Sequence, residues 1–256
     1  MTTTPIPSYN EPPLTEVVCG VQFEGLPLET RHIGQFWTEI AAEYPLTRDL
    51  PPVPDVGDTP NISILMIPPL RRTFMATAST EFSLQLQASR FHSNWRKLSP
   101  GVQYPRFPEV FDRFLRYWGR FSDFARRQGM LAPRPTRYEL TYVNELNILG
   151  SLRVEQAVKL FDWSRIEAAF LPEPNGTNIA WSFPLPQAKG MMNVSTNRFT
   201  KPDGRTAVVL TLMCSGASAN EEYSMNDWFE TAHQWIVRGF TDLTTPEAQR
   251  IWQREV

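Results

Sequence analysis

Residues 108–128 constrain the fold more tightly than any other stretch. At 100° per residue, Phe111, Phe114, Leu115, Trp118, Phe121 and Ala125 fall on one broad helical face, and Arg113, Arg116, Arg120 and Arg127 fall on the opposite one. Pro108 in the first turn and Gly129 just past the end occupy the positions that start and stop helices. Burying one large apolar side chain is worth ~1.5–3 kcal/mol, so this helix must lie aromatic side down on another element. The rest of the chain has to supply that surface.

Alternation at a period of two locates it. Over 17–23, Val17, Cys19, Val21 and Phe23 alternate with Val18, Gly20 and Gln22, and Pro12 and Pro13 block extension backwards. Strands are expected at 62–67, 72–77 and 82–91. In the last, Phe82, Leu84, Leu86 and Ala88 face one way and Ser83, Gln85, Gln87 and Ser89 the other, the pattern of a half-solvated antiparallel strand. A strand at 138–146 follows the long helix. Residues 179–183, 191–199 and 206–214 form a three-stranded meander whose second connection, Lys201-Pro202-Asp203-Gly204, suits a tight turn. Helices are expected at 33–43, ended by Pro45, and at 154–169. Residues 46–60, with four prolines, read as an exposed irregular loop.

Ser224 and Asp227 resemble a capping box before a helix whose Trp228, Ala232, Trp235, Ile236, Gly239 and Phe240 share a face. Thr245-Pro246-Glu247 begins a last short helix. Exposing so broad a stripe would consume most of a domain's stability of ~5–15 kcal/mol, so residues 226–252 are expected to dock on the concave face of the sheet. This element order lacks the strict alternation of a parallel α/β fold. The expected class is α+β, with antiparallel sheets packed by long amphipathic helices in one domain of residues 1–256. Each half holds a three-strand run followed by an aromatic-rich helix, which leaves open two pseudo-repeated, helix-grip-like halves, 1–150 and 151–256.

The 23 Pro fall between periodic segments, and 8 Trp, 7 Tyr and 16 Phe supply enough apolar area to exclude disorder. No run approaches the roughly 18 apolar residues of a membrane span, and the start, MTTTPIPSYNEPP, lacks a signal-peptide pattern. A soluble, cytoplasmic protein is expected.

No catalytic constellation emerges, and neither a cofactor nor a metal is expected. His32, His92 and His233 are isolated, without the paired spacing of a zinc site. Cys19 and Cys214 sit inside apolar runs as small buried hydrophobes. Cys214-Ser215-Gly216-Ala217-Ser218 lacks the form of a nucleophile turn and follows an antiparallel meander. Arg137, Tyr142 and Asn144 on one strand fit a bracing polar network better than a pocket, and His233 beside the last apolar face fits a hydrogen-bonded structural histidine.

Charge is the unusual feature. The 90–137 region carries ten Arg and Lys97 against Glu109, Asp112 and Asp123, a local balance of +8 in a chain of net charge −2. Guanidinium forks suit carboxylate and phosphate. Glu109–Arg113, Asp112–Arg116 and Asp123–Arg127 also have the i,i+4 order of an ordinary solvated helix face.

Tyr9-Asn10-Glu11-Pro12-Pro13-Leu14-Thr15-Glu16-Val17-Val18, Val21-Gln22-Phe23, Leu86-Gln87, Phe91, Asn94-Trp95-Arg96, Tyr104-Pro105, Arg137, Tyr142, Asn144, His233, Ile236, Phe240, Leu243-Thr244 and Trp252 together resemble an uncharacterised, sporadically distributed bacterial protein family of about this length. The resemblance implies one full-length unit in a bacterial cytoplasm. The family's patchy occurrence is like that of laterally transferred accessory or defence genes, and it implies no catalytic residue. The leading expectation is a non-enzymatic accessory protein that binds a protein partner through Asn94, Trp95, Arg96, Arg116, Arg120 and Arg127, within a defence or toxin–antitoxin type of system. The alternative is a nucleic-acid or nucleotide binder using the same Arg-rich 90–137 region, which a pI of about 6.0 disfavours.

Overall fold

The computed structural model describes residues 5–52, 70–99, 101–146, 157–159, 177–200, 206–218 and 223–255. The first elements are β1 (Leu14–Phe23), α1 (Thr30–Ile40), β2 (Leu46–Leu50), β3 (Arg72–Ala76), β4 (Phe82–Gln87), β5 (Arg90–Arg96) and α2 (Phe107–Arg127). They are followed by β6 (Pro135–Leu146), β7 (Thr177–Pro184), β8 (Met191–Thr200), β9 (Thr206–Ala217), α3 (Met225–Leu243) and α4 (Pro246–Ile251).

The nine strands among the described residues form one antiparallel sheet in the order β2-β3-β4-β5-β1-β6-β9-β8-β7, and of those residues 39% are strand against 31% helix. This corrects the expected α+β arrangement of antiparallel sheets packed by long amphipathic helices, with its open possibility of two pseudo-repeated halves: the described fold is a single sheet, dominated by strand. Its cause lies in β1 and β6. These strands of 10 and 12 residues are neighbours in the middle of the order, so the strands on either side extend one ladder instead of closing two.

Two further differences have local causes. Residues 82–91 are not one strand but β4 and the start of β5, joined by the two-residue turn Ala88–Ser89 with Gln87 opposite Arg90. Residues 46–50 are a strand rather than a loop, paired with β3 from Leu46↔Ala76 to Leu50↔Arg72. The expected strand at 62–67, the turn at 201–204 and nearly all of the helix at 154–169 lie outside the described residues.

The chain divides into two compact units, Val18–Glu139 and Met1–Val17 with Leu140–Val256. In the first, α2 lies on β5 as its sequence requires. Phe91 meets Phe114, Trp118 and Phe121 at centroid distances of 6.3, 5.8 and 5.8 Å. Phe23 adds contacts to Trp118 and Phe121, and Phe36 of α1 reaches Phe121 and Phe124. Gln128 and Gly129, whose φ is +75°, end the helix.

In the second unit, α3 opens with the capping box read from the sequence: Ser224 Oγ accepts from the Asp227 amide and the Asp227 carboxylate accepts from the Ser224 amide. Trp228, Phe229, Ala232, Ile236 and Phe240 are buried where α3 packs on β8 and β9. Tyr9 closes on the end of this helix, edge-on to Phe240 at 5.4 Å with its hydroxyl 2.8 Å from Thr241 Oγ1.

The approach of Lys189-Gly190 to Ser215-Gly216 leaves no room for a side chain. A Cβ on Gly216 would fall 1.8 Å from the Lys189 carbonyl oxygen, and one on Gly190 would fall 2.0 Å from that of Ser215. Trp228 Nε1 donates to the same Lys189 carbonyl at 2.8 Å. Gly216→Ala is therefore expected to lower stability by about 1–3 kcal/mol, the usual cost of overpacking. It should shift the urea midpoint at an unchanged m-value, while Gly25→Ala, with nothing within 4 Å, should not. An unmoved Gly216→Ala midpoint would contradict the steric argument.

Candidate functional site

Pairing on β2, β3, β4 and β5 arranges one face of the first unit as a grid. Leu46, Ala76, Ser83 and Asn94 form one row; Arg48, Phe74, Gln85 and His92 the next; Leu50, Arg72, Gln87 and Arg90 the third. The period of two explains its polarity. Met75, Leu84, Leu86 and Phe91 point to the aromatic core, and their sequence neighbours must point the other way.

This face is not half-solvated as the sequence suggested, because Ser83, Gln87, Arg90 and Asn94 are buried. Arg72 NH1 donates to Gln85 Oε1 at 2.9 Å, and Gln85 Nε2 donates to Asn94 Oδ1 at 3.1 Å. Glu139 of β6 accepts from Gln22 Nε2 at 2.5 Å and Arg90 NH1 at 3.2 Å. His92 Nε2 lies 3.3 Å from Glu139 Oε2, close enough for a charge contact but outside hydrogen-bond geometry. Gly20 makes room for that ring, since a Cβ there would fall 2.5 Å from His92 Cδ2. Burial alone raises the Glu139 pKa, yet His92, Arg90 and Gln22 outweigh it and hold the carboxyl at about 2.

At the Leu46–Ala76 corner of the grid, Leu46, Thr47, Arg48, Phe74, Ala76, Thr80, Arg96 and Leu98 line an open groove of about 310 Å³. Leu46 and Leu98, 45% and 46% exposed, give this groove two half-exposed leucines. The Arg48 guanidinium lies over the Phe74 ring, 4.4 Å from its centroid. Thr80, at the β3–β4 turn, has a φ of +59°, a left-handed conformation rare for a β-branched residue.

The arginines of α2 are mostly engaged by α1 and the chain after it. Arg127 grips both Glu39 carboxylate oxygens at 2.7 Å, and Arg120 donates to the Glu39 carbonyl at 2.6 Å. Arg113 donates to Glu43 at 2.7 Å and to the Tyr44 hydroxyl at 3.0 Å, with its guanidinium 4.0 Å from the Phe82 centroid. Tyr117 also donates its hydroxyl to Glu43. Of the six residues expected at a partner site, Arg96, Arg116 and Arg127 are exposed and Arg120 is half-buried. Asn94 belongs to the grid. Trp95, only 1% exposed, lies on the opposite, core side with Tyr104, at a centroid distance of 5.1 Å. Alternation along β5 thus splits the Asn94-Trp95-Arg96 segment between two faces. The sequence reading missed Leu46, Arg48 and Phe74, whose only signal was the weak alternation of Leu46, Arg48 and Leu50.

The remaining candidates have structural surroundings. The Tyr142 hydroxyl is 3.0 Å from His233 Nδ1, and Asn144 Nδ2 donates to the Leu210 carbonyl at 3.2 Å, both within the second unit. Arg137 belongs to the first unit. Burial lowers the His233 pKa to about 4, so the ring is neutral at pH 7. Burial raises the thiol pKa of Cys19 and pushes that of Cys214 up to about 12, which leaves neither as a nucleophile at neutral pH. Ser215 is a strand residue of β9 opposite Met191. No group of three His, Cys, Asp or Glu able to hold a metal ion occurs among the described residues, and none of their helices is long and apolar enough to cross a membrane. No protein family and no curated protein matches the chain.

His233 and Glu139, whose shifts in the acid range are large, imply a two-stage loss of stability in acid. The folded His233 pKa of about 4 lies below the ordinary 6.5, so the unfolded chain binds the proton first and stability falls as pH drops from 6.5 towards 4. Glu139, at about 2 against 4.5, contributes stabilisation that is complete above pH 4.5 and is lost as pH falls towards 2. At about 1.4 kcal/mol per pKa unit each stage is on the order of 3 kcal/mol. Urea unfolding at a series of pH values should show both, with His233→Gln removing the upper and Glu139→Gln the lower. A midpoint constant between pH 7 and 4 would contradict the His233 assignment.

Proposed function

We propose that this chain is a non-enzymatic accessory protein of the bacterial cytoplasm that binds a protein partner, in the kind of laterally transferred defence or toxin–antitoxin setting that its family resemblance implies. The observation that carries the reading is the groove of the first unit, where Arg48 and Arg96 meet two half-exposed leucines and no carboxylate shares the lining among the described residues. Arginine set among apolar groups is the composition of interface anchors, because a guanidinium supplies directional hydrogen bonds while its neighbours exclude water. Arg96 is the member of the expected set that joins this groove. Arg120 and Arg127 lie apart from it on the helix side, where Glu39 already engages both.

Affinity capture from the source cell separates the two surfaces. A partner held by the wild-type chain and by Arg116→Glu/Arg120→Glu/Arg127→Glu should fall at least tenfold in yield on Arg48→Glu/Arg96→Glu, a loss of about 1.4 kcal/mol or more. Identical partner sets on the wild-type and groove variants would refute the groove as the site. Retention of DNA or RNA that weakens steeply with salt would instead support the nucleic-acid alternative.

A further inference from the structure

We infer that the partner presents to this groove an internal acidic segment carrying at least two carboxylates beside an aliphatic side chain, a recognition chemistry that rests on the protein-binding reading above. Charge complementarity gives the first half: among the described residues the lining contains Arg48 and Arg96 and no acidic side chain. Both guanidiniums belong to the same sheet face but are three strand steps apart, β2 to β5. Arg96 also lies four residues along β5 from the row that holds Arg48, so at ~4.8 Å per step and ~3.4 Å per residue their backbones are about 20 Å apart and one carboxylate does not serve both. Side chains two residues apart on an extended segment share a face, which lets two acids flank the groove on one strand-like stretch.

Leu46 and Leu98 supply the second half. Each leaves nearly half its surface in water at the rim, where an aliphatic side chain from the partner would remove it.

Selection of displayed random decapeptides on the full-length protein, counter-selected on Arg48→Glu/Arg96→Glu, tests the chemistry without knowledge of the partner. The expected enrichment is for two Asp or Glu separated by one or three residues, with Leu, Ile or Val nearby. A selected peptide made with blocked ends should lose at least tenfold in affinity when its acids become Asn or Gln. It should be unaffected by the α2 triple variant. Melting curves of both variants, whose altered arginines are exposed apart from the half-buried Arg120, check folding. The inference is overturned by enrichment of sequences without acids, by no enrichment, by equal binding of the neutralised peptide, or by binding that requires a free C-terminus. Loss of captured partner on the groove variant together with any of these outcomes would sink the acidic-segment chemistry alone and leave the protein-binding reading standing.

Discussion

Everything in the first unit follows from the seating of α2 on β5, where Phe91 stacks nearly parallel to Phe121 at 5.8 Å with an interplanar angle of 16°. That contact fixes which face of β5 is core. Because strand side chains alternate, committing Phe91 and Trp95 to the helix commits Arg90, His92, Asn94 and Arg96 to the far side. The antiparallel ladder then transmits the choice to β4 and β3, so that Gln85 and Phe74 join the polar face while Leu84 and Met75 join the core. A one-residue slip of β5 would put Arg90 and His92 against the phenylalanines.

The polar face carries its own constraint. Arg90 and Glu139 are buried together, and removing either partner of such a pair leaves an uncompensated charge, at about 3–5 kcal/mol. Gln22 and the glycine at position 20, which leaves space for His92, complete the arrangement. Its members come from β1, β5 and β6, widely separated in sequence, so the network specifies strand order as well as contributing energy. This is a reason for Gly20 to be glycine that its strand pattern alone does not give.

How far the sequence revealed this depended on whether the deciding contact was local. The aromatic stripe of α2, the alternation of Val17, Cys19, Val21 and Phe23, and the Ser224–Asp227 cap are local patterns, and each appears in the structure at its expected place. The hairpin between β4 and β5 was hidden because neither Ala88 nor Ser89 takes the positive φ of the favoured two-residue turns, so no Gly or Asn marks it. β2 was hidden because its side chains are nearly all exposed and its pairing with β3 comes from across residues 51–71. The helix arginines were misleading in the same way. Glu109–Arg113 and Asp123–Arg127 spacing suggested pairing along α2, yet Arg113 turns to Glu43 and Arg127 to Glu39, while Asp123 takes Arg126.

Those long-range pairs also bear on where a partner can be gained most readily. Arg113 and Arg127 already spend charged hydrogen bonds on carboxylates of the same chain, so a partner's acid must displace Glu43 or Glu39 and the net gain is the difference between two similar interactions. Arg48 meets an aromatic ring, which satisfies the flat face of the guanidinium and leaves its edge donors able to reach outward. A stacked arginine is also held in one rotamer before binding, which reduces the side-chain entropy lost when a carboxylate arrives. On physical grounds the sparser charge of the groove is therefore the better recognition surface than the denser charge of the helix, even though the helix dominates the charge pattern of the sequence.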